Sequence, residues 1–455
     1  MKQIIHILFL VILTACAAGK DYSRPPVEKV ATFKEAANWK KAEPRDDKIQ
    51  AKWWEVFEDK ELNQLAEQIA TSNQSVKAAE AAYRQAKALT AKAKSAYFPN
   101  ISADAAQNRN AIGSKANDKY TTSLDAAWEL DLWGKIRREV EQNQALSKAS
   151  LADLAGVKLS MQNELVVDYI SLRMADEQKR LLAATIANYE KSLQMTKNLY
   201  NSGVNSQEDV LQATAQLEST KTQILDVEIS RAKFEHAIAV LVGKTPADFN
   251  IAANDSIPKL PPTPPAIAAE LLERRPDIAS AERRVIAANA AIGAAKAAYF
   301  PSLKISASGG YQSSSFVDWI NLPNRVWSIG PDIALNVFDG GLRKAQSKAA
   351  IAAYDQKVAD YRQTILASFA DVEDNLVTLR LLEQAADSQK KASDSSSQAA
   401  TITANQYKAG IVSYFNVITT QNSEINNKTA LLNINKQRLI ATANLIKALG
   451  GGWTE

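Results

Sequence analysis

The amino-acid sequence predicts a mainly α-helical protein with a membrane β-barrel, in which pairs of short strands separate very long helices. Three observations support this fold class. The stretch from residue 134 to 200 has no proline and one internal glycine, Gly156, so an unbroken helix there would be ~100 Å long at ~1.5 Å per residue. Four shorter stretches alternate between apolar and polar residues. The chain of 455 residues also contains two copies of one pattern.

The N-terminus has the features of a secretion signal at residues 1–15. Lys2 precedes an apolar run at 4–13, which is far shorter than the ~20 residues of a membrane-spanning helix. The run leads into LTAC, which ends at Cys16, the only cysteine in the chain, so no disulfide can form within it. This ending resembles the bacterial lipoprotein signal, which implies cleavage before Cys16, a covalent lipid on Cys16 and, because Ala17 follows, export to the outer membrane. The alternative is a chance cysteine at the end of an ordinary signal peptide.

The composition gives little support for an enzyme or a nucleic-acid-binding protein. The only histidines are His6, inside the signal, and His236, inside a helical stretch, so neither a histidine metal cluster nor a catalytic triad can form. A pair of carboxylates could still serve a glycosidase, but nothing marks one pair among the 50 acidic residues. The formal charge of +4 gives no argument for nucleic acid. We therefore expect no catalytic residues, no metal site and no cofactor apart from the lipid on Cys16.

An internal repeat organises the chain. NLYNSGVNS at 198–206 returns as NQYKAGIVS at 405–413, and AKAKSAYFPNISA at 91–103 returns as GAAKAAYFPSLKISA at 293–307. Each copy reads as a helix, two strands, a very long helix, a turn and a second helix. The predicted divisions are a first repeat at 61–256, a proline-rich linker at 257–266 and a second repeat at 267–449, flanked by segments at 16–60 and 450–455.

The four predicted strands lie at about 99–110, 119–132, 302–313 and 326–338. Their length of about ten residues, with aromatic side chains near the ends, favours a membrane barrel with a polar interior. The same alternation is also compatible with a soluble sheet packed on helices. Four strands cannot close a barrel, because roughly eight is the practical minimum, and open edges are not tolerated in lipid. If these strands span a membrane, other copies of the chain must complete the barrel.

Each repeat ends in a predicted helical hairpin, at 134–242 and at 341–449. In the first hairpin, side chains recur with the alternating four- and three-residue spacing of a coiled-coil seam at Leu182, Ile186, Tyr189, Leu193, Thr196 and Tyr200. Abundant alanine would allow close contact with neighbours on a second side, which suits the wall of a tube. The alternative is an ordinary coiled-coil rod.

Four motifs resemble those of a known family: LLERRPDIASAERRVIAANAAIGAAKAAYFPSL at 271–303, WELDLWGKIRREVE at 128–141, WWEVFEDKELNQL at 53–65 and ALGGGW at 448–453. With these motifs, the sequence resembles the TolC-type outer-membrane efflux channels, and in particular their NodT-like lipoprotein branch. The resemblance covers nearly all of the chain after the signal. It implies a homotrimer in which four strands per chain form one 12-stranded β-barrel, continued by a long periplasmic α-helical barrel. It also implies an equatorial girdle around the helical barrel, formed by 16–60, the linker and 450–455.

The repeated segments NLYNSGVNS and NQYKAGIVS are the predicted turns of the two hairpins. Gly203 and Gly410 can adopt the left-handed conformation that ends a helix, and Ser206 and Ser413 are placed to cap the next one. The resemblance implies that both turns lie at the periplasmic tip, contact a periplasmic adaptor protein and close the resting channel. The residues predicted to do so are Tyr200, Gly203, Val204, Ser206, Tyr407, Gly410, Ile411 and Ser413.

The predicted gate residues follow these turns and are Glu208, Asp209, Asn416 and Thr419. The family often has acidic residues, which form selective rings in the trimer, at the positions of Asn416 and Thr419, so those rings are missing here. Asp209 matches a family position that helps to hold the closed state. Alternatively, Glu208 and Asp209 are acids at a helix N-terminus, where the helix dipole favours them. We expect a constriction that is less cation-selective than in relatives with acidic rings.

The resemblance implies a passive channel for small molecules, such as drugs and toxic compounds, in the bacterial outer membrane. The expected partners are a periplasmic adaptor, an inner-membrane transporter of the RND type and outer-membrane lipid, and no nucleic acid. Two alternatives remain open: the outer-membrane duct of a type I protein-secretion system, and a non-conducting periplasmic coiled-coil lipoprotein. The sequence does not identify the cargo.

Overall fold

The computed structural model describes residues 18–26, 52–254, 256–261 and 275–451. The predicted signal, Cys16 and parts of the flanking and linker segments lie outside this described part of the chain. The chain divides into two compact units, one formed by 1–27, 80–153 and 279–364 and the other by 28–79, 154–278 and 365–455. We call the first the sheet unit, because it contains the strands, and the second the tip unit, because it contains the turns of both hairpins.

Helices make up most of the described chain. Their bounds are α1 Lys60–Ser72, α2 Gln74–Ser95, α3 Lys135–Asn201, α4 Gln207–Leu241, α5 Pro276–Ala297, α6 Leu342–Lys408 and α7 Tyr414–Ala448. Among the described residues, no helix is both long enough and apolar enough to cross a membrane. Helices α3 and α6 each contain 67 residues, and α4 and α7 each contain 35, so the two repeats build hairpins of equal size.

The strands form one antiparallel sheet in the order β1-β2-β3-β4. Their bounds are β1 Asn100–Ile112, β2 Lys115–Leu130, β3 Ser302–Ser313 and β4 Arg325–Ala334. β2 begins before its predicted start at 119, because its pairing with β1 continues to the short turn at 113–114. β4 ends before its predicted end at 338, because Ser302, the first residue of β3, pairs with Ala334. Residues after Ala334 therefore have no strand beside them in the described chain.

The strand register places apolar residues on one face of the sheet, which confirms the predicted alternation. Trp128 lies opposite Ile305, whereas on the other face Glu129, Lys304 and Asp332 form a row of alternating charge. We call the first of these the apolar sheet face. Its members are Ile101, Ala103, Ala105, Tyr120, Leu124, Ala126, Trp128, Leu130, Leu303, Ile305, Ala307, Trp327, Ile329, Pro331 and Ile333. Most of its large side chains are exposed, and a contiguous exposed apolar surface marks an interaction surface.

The segment 18–26 is attached to the sheet unit. The Ala18 amide donates to the Trp133 carbonyl at 3.1 Å, shortly after β2 ends. Arg138 on α3 donates to a carboxylate oxygen of Asp21 at 2.8 Å. Ala18 therefore lies close to the end of the sheet at which α3 begins.

A fully buried arginine, Arg173 on α3, organises the core of the tip unit. It forms ion pairs with Glu61 and, at 3.1 Å, with Asp176, and it donates to the Ala252 carbonyl at 2.8 Å. Asp176 also accepts a hydrogen bond from Arg231 on α4 at 2.6 Å. A buried charge is tolerated only when it is paired and hydrogen-bonded. The network therefore holds α1, α3, α4 and the segment after α4 in one arrangement.

We predict that Arg173→Ala destabilises the tip unit by about 3–5 kcal/mol, because it removes one partner from a buried ion-pair network. As the control, Lys390→Ala removes an exposed pair with Asp394 and should cost at most about 0.5 kcal/mol. Thermal melting followed by circular dichroism compares both variants with the parent chain. Equal melting midpoints for the two variants would show that the buried network does not stabilise the fold.

Candidate functional site

The two hairpin turns have the same backbone. Gly203 and Gly410 both have left-handed φ angles, of 76° and 72°, as predicted. In the first turn, the amide of Gly203 donates to the Tyr200 carbonyl, and in the second the amide of Gly410 donates to the Tyr407 carbonyl, both at 2.9 Å. These are helix-ending bonds of the Schellman type. Because a Cβ at either glycine would have no atom within 4 Å, the backbone angle and not the available space requires glycine here.

The two turns differ at the start of the next helix. The Ser206 hydroxyl accepts from the Asp209 amide at 3.2 Å, and the Asp209 carboxylate accepts from the Ser206 amide at 3.4 Å, which together form a capping box. The predicted cap at Ser206 is confirmed. Ser413 occupies the predicted N-cap position of α7, but its side chain makes no capping hydrogen bond. The Asn416 amide donates instead to the Ser413 carbonyl at 3.2 Å, and the second turn has no carboxylate at the position of Asp209.

The two turns pack against each other through Tyr407. This side chain is 5% exposed. Its hydroxyl accepts a hydrogen bond from the Asn205 side chain and lies 3.2 Å from the Thr196 hydroxyl. Its ring lies 5.4 Å from the ring of Tyr414, and the hydroxyl of Tyr414 accepts from Ser192 at 3.5 Å. Both of these tyrosines of the second hairpin are thus hydrogen-bonded to the first hairpin.

An apolar cluster supports this contact. Its buried members are Tyr189, Leu193, Ala213, Leu217, Tyr407, Tyr414 and Val417. Beside it, the side-chain amide of Gln216 donates to Asn422 at 2.7 Å. Burial raises the pKa of Tyr189 and of Tyr414 above the ordinary tyrosine value, so both phenols stay neutral. The hairpins are therefore joined by packing and by hydrogen bonds between uncharged groups.

Tyr200 has a different environment from Tyr407, although the repeat places them at equivalent positions. Tyr200 is 43% exposed, whereas the earlier seam positions Leu182, Tyr189, Leu193 and Thr196 are buried. The prediction that Tyr200 continues the buried seam is therefore wrong within one chain. The physical reason is that Tyr407 packs on the first turn, whereas in the described part of the same chain no further turn lies beside Tyr200.

The four gate candidates lie in the first two turns of α4 and α7. Glu208 accepts a hydrogen bond from Gln212 at 3.0 Å, and Asp209 forms the capping box described above. Asn416 and Thr419 are exposed, three residues apart and on one face of α7. The structure therefore gives Asp209 a local structural role, and the proposed role of these four residues in gating stays a prediction.

Sequence reasoning missed three residues of the contact between the turns, namely Thr196 as a hydrogen-bond partner, Asn205 and Tyr414. Tyr407 and Tyr414 lie in different helices on either side of the second turn, so no helical periodicity in the sequence could have paired them. The exposed apolar residues Val204 and Ile411 lie at matched positions of the two turns.

Within the described ranges, no three potential ligand side chains are grouped to hold a metal ion.

The chain matches the family described as outer membrane efflux protein over residues 65–244 and 267–451. It belongs to this family and is an outer-membrane efflux protein. The identification made from the sequence motifs is thereby confirmed, as is the location in the bacterial outer membrane.

Individual relatives match along almost their full length. The chain is 28% identical to the probable outer membrane lipoprotein SilC of Salmonella typhimurium, over 100% of this chain and 99% of that protein. It is also 28% identical to the solvent efflux pump outer membrane protein SrpC of Pseudomonas putida, over 98% of this chain and 97% of that protein. The solved structure of the outer-membrane channel OprN is similar, with a TM-score of 0.87 and 30% identity, and the match covers 96% of this chain and 100% of that one. The mainly helical fold is therefore that of outer-membrane efflux channels.

We predict that Ser206→Ala weakens the start of α4 by about 1 kcal/mol, because it removes the capping box. Ser413→Ala changes the matched position of the second repeat and should have a smaller effect. Hydrogen exchange of the backbone amides in the first turns of α4 and α7 measures both effects, and about fivefold faster exchange is expected in Ser206→Ala. Equal acceleration in the two variants would contradict the assignment of the cap.

Proposed function

We propose that this outer-membrane efflux protein works as a homotrimer that conducts small molecules passively through a 12-stranded β-barrel and a periplasmic α-helical barrel. In this proposal a periplasmic adaptor contacts the hairpin turns, and an inner-membrane transporter of the RND type supplies the energy. Drugs and other toxic compounds are the proposed cargo, in keeping with the solvent efflux pump to which one relative is assigned. The observation that carries the proposal is a sheet with two chemically different faces and two open edges.

Two features of the sheet, its unpaired edges and its two different faces, support the proposal of a trimer. β1 and β4 each pair with a single neighbour in the described chain, so each has unpaired backbone groups along one edge. The apolar sheet face suits lipid, and the opposite face, with Glu129, Lys304 and Asp332, suits a water-filled interior. Two chains would supply eight strands, and side chains fill the interior of a barrel of that size. Three chains supply twelve, which leaves room for a channel and pairs β4 of each chain with β1 of the next.

The exposed Tyr200 supports the same assembly at the hairpin turns. The repeat matches Tyr407 with Tyr200 and Thr196 with Thr403. Within one chain, Tyr407 lies beside Thr196. The equivalent partner of Tyr200 is therefore Thr403 of a neighbouring chain. A ring of three chains gives every hairpin turn a neighbour on both sides and covers Tyr200.

Cys16 is the proposed site of lipid attachment. Ala18 follows two residues later and is held at the Trp133 carbonyl, and two extended residues span at most about 7 Å. A lipid on Cys16 would thus enter the membrane surface at the end of the sheet where α3 begins. The several acyl chains of a lipoprotein bind a membrane more firmly than one chain does.

The hairpin turns are the proposed contact for the adaptor. Val204 and Ile411 are exposed at matched positions, directly after the glycines that end α3 and α6. Exposed apolar side chains at a turn provide a surface for a protein partner. Because the two turns share one backbone, a single type of adaptor surface can bind both.

Conductance in planar lipid bilayers tests the proposed function. Purified trimers should form ion-conducting pores, whereas a coiled-coil rod would not conduct.

Tyr407→Phe should lengthen the time that the channel stays open, because it removes the hydroxyl that holds Asn205 and Thr196. Tyr299→Phe, which removes an exposed phenol in the sheet unit, is the control and should behave as the parent. Absence of conductance from the parent and from Tyr407→Phe would contradict a channel function.

Asn416→Asp tests the proposed constriction. The substitution would place a ring of three carboxylates where the trimer now has uncharged amides, so selectivity for cations should increase. The reversal potential in a potassium chloride gradient measures this change, and Asn416→Ala, which adds no charge, should leave it unaltered. If the reversal potential of Asn416→Asp equals that of the parent, Asn416 does not line the constriction.

A further inference from the structure

The loop between β3 and β4, residues 314–324, exposes large apolar side chains. Val317 is 90% exposed and Phe316 is 67% exposed, and Ile320 and Leu322 are also exposed. The loop lies at the end of the sheet opposite to α3, because α3 follows the last residue of β2 and this loop follows the last residue of β3. A cluster of this kind is unfavourable in water and indicates that the loop has an apolar partner.

The loop folds onto the apolar sheet face. The rings of Phe316 and Trp319 each lie 5.6 Å from the ring of Tyr120, and they lie 6.0 Å from each other. Tyr120 belongs to β2 and points to the same side as Leu124 and Trp128. The loop therefore passes over the end of β3 towards β2. Because it turns away from the free edge of β4, a neighbouring chain paired with that edge would not cover it.

The position of Tyr120 along β2 gives the depth of the loop. Tyr120 and Leu130 are separated by about 33 Å along the strand at ~3.3 Å per residue. A strand tilt of about 40° reduces this distance to about 25 Å across the membrane, which equals the height of the apolar band on outer-membrane barrels. If one boundary of the band lies at Leu130, the other lies at Tyr120. The loop then lies at the outer boundary of the lipid.

The β1–β2 turn at the same end of the sheet has the opposite character. Beyond Tyr120, β2 pairs only with β1, and this extension contains the polar residues Asn117, Asp118 and Lys119. This polar extension of the β1–β2 hairpin suits the water outside the membrane. The apolar loop and the polar hairpin therefore differ in the surroundings that they require.

We propose that residues 314–324 form a lipid anchor, in which Phe316, Val317, Ile320 and Leu322 insert among the acyl chains of the outer leaflet. The anchor fixes the depth of the barrel at the outer boundary, at the side of the membrane opposite to the proposed lipid on Cys16. This inference rests on the proposed function, because it requires the apolar sheet face to lie in lipid.

Spin labels on cysteines introduced one at a time test the anchor. The full chain carrying Val317→Cys is labelled with a nitroxide and reconstituted in vesicles of phosphatidylethanolamine and phosphatidylglycerol. Collisions with oxygen, which concentrates in lipid, are compared with collisions with a water-soluble nickel chelate. Ser114→Cys in the β1–β2 turn serves as the water-facing control, and Ile329→Cys on the apolar sheet face as the lipid-facing control. The parent chain, which retains Cys16, measures the background of labelling.

The ratio of oxygen to nickel accessibility at Val317 should be several-fold higher than at Ser114 and similar to that at Ile329. A low ratio at Val317 together with a high ratio at Ile329 would overturn the anchor and leave the barrel in place. Low accessibility of Val317 to both reagents would indicate a protein partner and would also overturn it. A low ratio at Ile329 would overturn the proposed membrane barrel and the anchor with it.

Discussion

A strand edge in lipid cannot leave its backbone polar groups unpaired, and the rest of the structure depends on this constraint. Water is not available inside the hydrocarbon layer, so each unpaired group costs several kcal/mol. The pairing of β2 with β3 joins the two repeats into one sheet, but among the described residues no strand pairs with the outer edges of β1 and β4. If the sheet spans the membrane as proposed, a single chain is therefore incomplete there, and association of several chains is a condition of insertion.

In the proposed trimer, the helical hairpins of one chain are also completed by neighbouring chains. The contact around Tyr407 joins the two hairpins of one chain, while the equivalent position at Tyr200 has an exposed side chain. The observed contact consists of packing and of hydrogen bonds between neutral groups, each worth about 1 kcal/mol. Contacts of this strength can hold a closed arrangement and still be broken when a partner binds the turns. Assembly of the chains and opening of the channel would then both depend on this type of neutral, hydrogen-bonded contact between hairpin turns.

The sequence was sufficient to predict features that depend on local periodicity. Alternation located the strands and their apolar face, and Gly203 and Gly410 marked the turns, because a left-handed residue is required there. Features that depend on distant residues were not predictable in the same way. Tyr200 and Tyr407 have nearly the same local sequence but different surroundings, and the second serine, Ser413, lacks the carboxylate that completes the first cap. The network around Arg173 was missed because Glu61, Arg231 and Ala252 come from segments that are far from it in the sequence.

Photo-cross-linking at Tyr200 tests most directly whether a ring of three chains completes the structure. A photoreactive phenylalanine derivative would replace Tyr200 or, as the matched control, Tyr407 in the purified protein. At Tyr200 we expect covalent products of two and three chains and no larger ones, with the linked peptide containing Thr403. At Tyr407 we expect links within one chain. Products of a single chain only from position 200, or a ladder that continues beyond three chains, would contradict the closed trimer.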